Sequence, residues 1–171
     1  MKKNLVLTGM MGVGKSTIGK SLSERLNKKF IDIDKIIENE ENMTIKKIFE
    51  TKGEKYFRKV EEKISLEYLN KSDFVFALGG GAFTNEVIRS FVLKKCISFW
   101  LDLNLTSLKE RVSDSSKRPL LNQKELGETL SNLYESRKDI YALANYKIDC
   151  NNSGKSLIID KIVKIYETKR N

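Results

Sequence analysis

Short apolar runs alternate along the chain with longer segments in which apolar residues recur every three or four positions. The first run, near Asn4–Thr8, contains Leu5-Val6-Leu7 and predicts a buried strand. After a glycine-rich turn, Ile18, Leu22 and Leu26 follow one another at four-residue steps and predict a helix with one buried stripe. Phe30-Ile31-Asp32-Ile33-Asp34 reads as a second strand, with both aspartates on one side near its C-terminal end, where open parallel sheets bind ligands. Next come a helical stretch from about Lys35 to Asn39, and Thr44 as a cap for Ile45, Ile48 and Phe49. Gly53 punctuates that segment, and a helix from about Glu54 to Leu69 turns Phe57, Val60 and Ile64 inward. Phe74–Leu78 is continuously apolar, as a central strand requires, and runs into Gly79-Gly80-Gly81.

The alternation continues with a helix at Asn85–Leu93, a strand at Ile97–Leu101 ending in Asp102, and a helix that buries Leu105, Leu108 and Val112. A long helix from about Leu126 to Ala144, a strand at Tyr146–Cys150 and an amphipathic helix from about Lys155 to Lys169 complete it. Strands separated by helices predict an α/β protein with a parallel sheet. No linker or repeat divides residues 1–171, which read as one domain. The span between the second and third strands is too long for a simple crossover. It predicts a helical insertion, residues 33–61, forming one wall of a substrate cleft.

Composition narrows the chemistry. The absence of histidine removes imidazole bases, Ser-His triads and histidine metal sites, leaving carboxylates, lysine and arginine. Cys96 and Cys150 sit beside or within strands and read as small core residues. No apolar stretch approaches the ~20 residues of a membrane span, and too short an apolar run follows Lys2-Lys3 for a signal peptide. A cytoplasmic, monomeric protein without a membrane partner is expected. The net charge of +9 raises nucleic-acid binding as an option. The lysines are spread along the whole chain, however, and aromatics do not interleave with them. A solvated surface with a basic pocket for small anions is the expectation, and no nucleic-acid partner.

Gly9-Met10-Met11-Gly12-Val13-Gly14-Lys15-Ser16-Thr17 matches G-x-x-x-x-G-K-[ST], between a strand and a helix, and predicts a nucleoside triphosphate site. Its N–H groups form an anion nest at the start of the next helix, Lys15 reaches the outer phosphates, and the Ser16 hydroxyl can ligate Mg²⁺. Beside such a loop, Asp32 and Asp34 read as a metal-facing acid and a substrate-facing base, although an aspartate here could also cap the following helix. Arg58 and Glu61 are neighbours on a helix surface, so the carboxylate can hold the guanidinium in place. Gly79-Gly80-Gly81 leaves backbone N–H groups open to a small ligand. The polar stretch before Arg118-Pro119, within residues 112–124, reads as a lid.

In this order and at these separations the P-loop, Asp32-x-Asp34, Phe57-Arg58-x-x-Glu61, Gly79-Gly80-Gly81, Arg118-Pro119-Leu120-Leu121 and Arg137 followed by Tyr141 resemble the shikimate kinase family over the full length. The resemblance implies a three-layer P-loop kinase fold whose five-stranded parallel sheet has the order 2-3-1-4-5, with a lid and a substrate-binding insertion. It implies transfer of the γ-phosphoryl group of ATP to the 3-hydroxyl of shikimate, with Mg²⁺, in aromatic amino-acid biosynthesis. Gly12, Val13, Gly14, Lys15, Ser16, Thr17, Arg111 and Arg118 would contact the nucleotide, with Arg111 forming one wall of the adenine site. Asp34, Arg58, Gly80 and Arg137 would hold shikimate, its carboxylate between the two arginines. Lys15, Asp34 and Arg118 would be catalytic, and Ser16 and Asp32 would hold the metal, Asp32 through water. Many family members carry an arginine after the last strand. Here the loop is Asn151-Asn152-Ser153-Gly154, so base recognition there falls to backbone and amide groups. A gluconate-type or nucleoside monophosphate kinase is the alternative, although Asp34 would be out of place against a phosphate acceptor.

Overall fold

The structure, a computed structural model, describes residues 3–113 and 123–170. Its elements are β1 (Leu5–Thr8), α1 (Lys15–Arg25), β2 (Lys29–Asp32), α2 (Ile33–Glu41), α3 (Ile45–Leu69), β3 (Phe74–Ala77), α4 (Glu86–Lys95), β4 (Ile97–Asp102), α5 (Leu105–Ser113), α6 (Gln123–Tyr141), β5 (Tyr146–Asp149) and α7 (Lys155–Arg170). All strand pairs are parallel and the sheet order is β2-β3-β1-β4-β5, the expected arrangement. β1 is central and wholly buried, which is why its sequence is an unbroken apolar run rather than an alternation. Leu7 is level with Ala77 on one side and Phe99 on the other. The loops leaving β1, β3 and β4 therefore emerge together at one edge of the sheet.

Residues distant in sequence fasten this frame. The Asn4 side chain donates to the carbonyls of Leu69 (3.1 Å) and Lys71 (2.5 Å), while its oxygen accepts the Phe74 N–H (2.9 Å). One buried amide thus joins the end of α3 to the start of β3. Thr44 caps α3 as its sequence predicts, accepting the Lys47 N–H at 3.2 Å. Gly53 (φ 81°, ψ 166°) interrupts the helical backbone between the two halves of α3.

Two of the boundaries that differ from the sequence reading have a visible cause. β2 stops at Asp32, and Ile33 already belongs to α2, so Asp32 and Asp34 do not share a strand face. Asp32 caps α2 by accepting the Asp34 N–H at 3.1 Å, and Asp34 stands in the first helical turn. A carboxylate that satisfies an orphan helical N–H starts the helix two residues before the alternation would end. At the other boundary, α6 runs from Gln123 to Tyr141 instead of from 126 to 144. Asn145 is held on β4, with its side-chain oxygen accepting from the Ser98 N–H and hydroxyl (both 2.9 Å), and this draws the chain out of the helix. Arg118 and residues 114–122 of the expected lid lie outside the described residues.

Candidate active site

The P-loop joins β1 to α1. Gly9, Gly12 and Gly14 all have positive φ (137°, 81° and 101°). A Cβ on Gly9 would lie 2.6 Å from the Leu101 carbonyl oxygen, so the loop is pressed against the end of β4 as well as being left-handed. Gly14 immediately precedes the first helical residue, Lys15. The Lys15 ammonium turns back over its own loop and donates to the carbonyls of Gly9 (2.7 Å) and Met10 (2.9 Å). Burial pushes its pKa down to about 8, against the pull of Asp34 and Asp32, and with a smaller push from Arg137. Ser16 and Thr17 are exposed at the start of α1, and Val13 is buried.

Asp32 connects this loop to α2. One of its oxygens caps Asp34, and the other accepts the Ser16 hydroxyl at 2.5 Å. Ser16 and Asp32 thus put two hard oxygen donors side by side, a set that suits Mg²⁺ held mainly by water and phosphate. No group of three or more acidic or thiol side chains that could cage a metal exists among the described residues. The donor set therefore fits a metal that arrives with a nucleotide better than one bound by protein alone.

The remaining predicted groups meet around Gly79-Gly80-Gly81, just beyond β3. A Cβ at Gly79 would lie 2.6 Å from Asp34 Oδ1 and 2.9 Å from Glu61 Oε1. At Gly80 it would lie 3.5 Å from both Arg137 Nη1 and the Met11 nitrogen, and at Gly81 it would lie 2.5 Å from Arg58 Nη1. Two carboxylates, two guanidinium groups and the P-loop therefore surround three residues without side chains. Burial, with Asp32 adding to it, holds the Asp34 carboxyl above the usual carboxylate range, against Lys15. Glu61, 1% exposed, is likewise raised by burial, which outweighs its ion pair with Arg58. Arg58 Nη1 donates to Glu61 Oε2 at 2.7 Å, while Nε and Nη2 reach Glu54 at 3.3 Å. The guanidinium is thereby fixed in plane, ready for a planar anion.

Arg111 is brought to the P-loop, where its Nη1 donates to the Val13 carbonyl at 3.1 Å. Asn151, in the loop after β5, accepts the Asn104 N–H (3.0 Å) and its side-chain amide (2.6 Å). The sequence singled out the whole triplet as open to a ligand and Gly80 as a substrate contact, but not that the carboxylates at Gly79 and Arg58 at Gly81 occupy the space a Cβ would need. It also missed the buried hydroxyl of Tyr141, which donates to the Gly80 carbonyl. The four-residue step from Arg137 was its only trace in the sequence.

Known proteins resemble this chain in sequence and in fold. The family model described as shikimate kinase matches residues 11–167. A shikimate kinase of Sulfurihydrogenibium sp. (strain YO3AOP1) is 43% identical over 161 residues, covering 94% of this chain and 96% of the relative. The structure of shikimate kinase from Acinetobacter baumannii in complex with shikimate superposes with a TM-score of 0.90 at 32% identity, covering 98% of this chain and 94% of that one. That of shikimate kinase from Aquifex aeolicus gives 0.85 at 34% identity, with 98% of each chain covered.

Proposed function

The chain belongs to the shikimate kinase family, and from that premise we propose how its residues transfer the γ-phosphoryl group of ATP to the 3-hydroxyl of shikimate. It is an ATP-dependent small-molecule kinase, and family membership favours shikimate over a gluconate-type or nucleotide acceptor. The observation that carries the residue assignment is the convergence of Asp34, Arg58 and Arg137 on the glycine triplet beside the P-loop.

The P-loop backbone from Gly12 to Thr17 takes the phosphates. Lys15 exchanges its two loop carbonyls for phosphate oxygens, whose charge restores its proton affinity. Ser16 and Asp32 would hold Mg²⁺, which would neutralise phosphate charge there. Arg111 flanks the adenine. Arg58 and Arg137 grip the shikimate carboxylate, and a planar fork does this better than an ammonium can. The Gly80 backbone lies under the ring. The acceptor hydroxyl then faces Asp34, whose raised proton affinity suits it to receive the hydroxyl proton as the O–P bond forms. Arg118, on a lid within residues 112–124, adds positive charge at the transferring group, and closure excludes water as a competing acceptor. Residues 33–61 form the acceptor-side wall within one domain.

We read the protein as a cytoplasmic monomer without nucleic-acid or membrane partners; among the described residues no helix is long and apolar enough to cross a membrane. A coupled ADP-release assay with shikimate, gluconate and AMP offered separately tests the activity. Turnover is expected with shikimate alone. Turnover with gluconate or AMP and none with shikimate would overturn the assignment.

A further inference from the structure

Helix α6 touches the strand ends through two tyrosine hydroxyls. Tyr134 donates to Asp102 Oδ1 at 3.1 Å, at the last residue of β4. Tyr141, fully buried, donates to the Gly80 carbonyl just beyond β3, with Met10 Sδ 3.9 Å away. Arg137 lies three residues after the first and four before the second, on the same face of the helix. Its Nη1 is 3.5 Å from where a Gly80 Cβ would be.

Each anchor is itself fixed. Asp102 is 8% exposed, and its second oxygen pairs with Lys147 Nζ at 2.9 Å, the ammonium standing 4.6 Å from the centre of the Trp100 ring. The Tyr141 ring packs 6.1 Å from that same Trp100 ring. A long flexible side chain such as arginine places its guanidinium only as accurately as the backbone beneath it is placed. A helix can slide or rotate on an apolar face with little penalty. Two directional bonds seven residues apart remove both freedoms.

We propose that Tyr134, through Asp102, and Tyr141, through the Gly80 carbonyl, are positioning residues that fix the axial and rotational setting of α6, and thereby of Arg137, against the acceptor site. Tyr141 has a second effect: by holding the Gly80 carbonyl it also fixes the peptide on which the acceptor rests. This inference rests on Arg137 binding the shikimate carboxylate. It adds that the specificity of that contact is set from Asp102, a residue with no place among the substrate or nucleotide contacts.

The test is a double-mutant cycle in the full chain. Tyr134→Phe and Asp102→Ala are each expected to raise the shikimate KM about three- to tenfold, the worth of one hydrogen bond, with the ATP KM unchanged and kcat kept within about twofold. In an Arg137→Ala background the same substitutions are expected to leave the shikimate KM where Arg137→Ala alone puts it, because there is no guanidinium left to misplace. Tyr141→Phe is expected to raise the KM in both backgrounds, but less in the second, since its hold on Gly80 remains. Equal fold-changes with and without Arg137, or an unchanged KM in the singles, would overturn the inference. If Arg137→Ala itself leaves the shikimate KM unaltered, the carboxylate assignment fails, a distinct result. Thermal melts accompany each variant. A lowered Tm with an unchanged KM assigns these bonds to stability alone and also overturns the inference.

Discussion

At the scale of single residues, the candidate site is built from charges whose proton affinities burial has moved. Asp34 is held above the ordinary carboxylate range by burial and by Asp32, and Lys15 is lowered by burial to about 8. On the proposed role of Asp34, Asp34→Asn removes the proton acceptor but keeps the shape. The kcat is expected to fall at least ~100-fold, the usual range for losing a general base, while ATP affinity is kept. Near-normal turnover in the coupled assay would leave Asp34 as a mere helix residue. The acid limb of kcat/KM in the parent should fall above the ordinary aspartate range, because the active form is the ionised one and ionisation is disfavoured. For Lys15 the sign runs the other way. Its charge in the empty site is lost as pH rises through about 8, and bound phosphate demands that charge. ATP binding should therefore take up almost no proton at about pH 7 and approach one proton at about pH 9. Calorimetry in buffers of different ionisation enthalpy counts it, and a pH-independent count would mean that Lys15 stays charged in the empty site. Arg58→Lys should raise the shikimate KM with little change in kcat, since one ammonium cannot reproduce the fork.

At the scale of elements, the glycine triplet shows how a turn makes room for the charged side chains around it. Gly79, Gly80 and Gly81 have no positive φ, so the backbone alone does not demand glycine there. Space does: an added Cβ would meet Asp34 and Glu61 at Gly79, and the Arg58 guanidinium at Gly81. Those neighbours are the ends of side chains, which can move aside. Gly81→Ala should therefore cost little stability yet displace Arg58, raising the shikimate KM about tenfold or more while the melting temperature changes by only a few degrees. A large fall in Tm with an unchanged KM would contradict this account. The same scale exposes a limit of pattern reading. Alternation in Phe30–Asp34 suggested a strand bearing both aspartates, yet Asp32 caps α2 and places Asp34 in its first turn. Periodicity reports which residues are buried. Ile33 is buried in either conformation, so only the cap decides where the strand ends.

For the molecule as a whole, the unliganded site opposes stability. A carboxyl raised in the folded state binds more protons there than when unfolded, so its contribution falls as pH rises through the folded value. Asp34 and Glu61 both act in this direction. An amine lowered to about 8 also disfavours the folded state at neutral pH, and this is relieved as pH climbs from there toward its ordinary 10.5. Asp34→Asn is accordingly expected to melt at or above the parent's temperature at neutral pH, and the difference should shrink as the medium is acidified through the folded pKa of Asp34. A clearly lower Tm for the variant at neutral pH would show that ionised Asp34 stabilises the fold. Substrates that bind the folded chain and not the unfolded one should raise the Tm of the parent by mass action.

The order of elements, the central buried strands, the P-loop and the identity of the charged residues around the glycine triplet were legible in the chain itself. They are carried by local signals: apolar runs, glycine spacing and the residue types that phosphate and carboxylate demand. What only the tertiary structure decided is how residues far apart meet. Glu61 and Asp34 share the space over Gly79, Arg111 reaches the Val13 carbonyl across 98 positions, and Tyr134 and Tyr141 anchor α6 to the ends of β4 and β3. None of these contacts has a period or a motif, because each depends on strands from separate parts of the chain ending level at one edge of the sheet. Directional bonds between such ends form only after packing has set their spacing. Local pattern picks out the charged groups, and packing sets the distances between them.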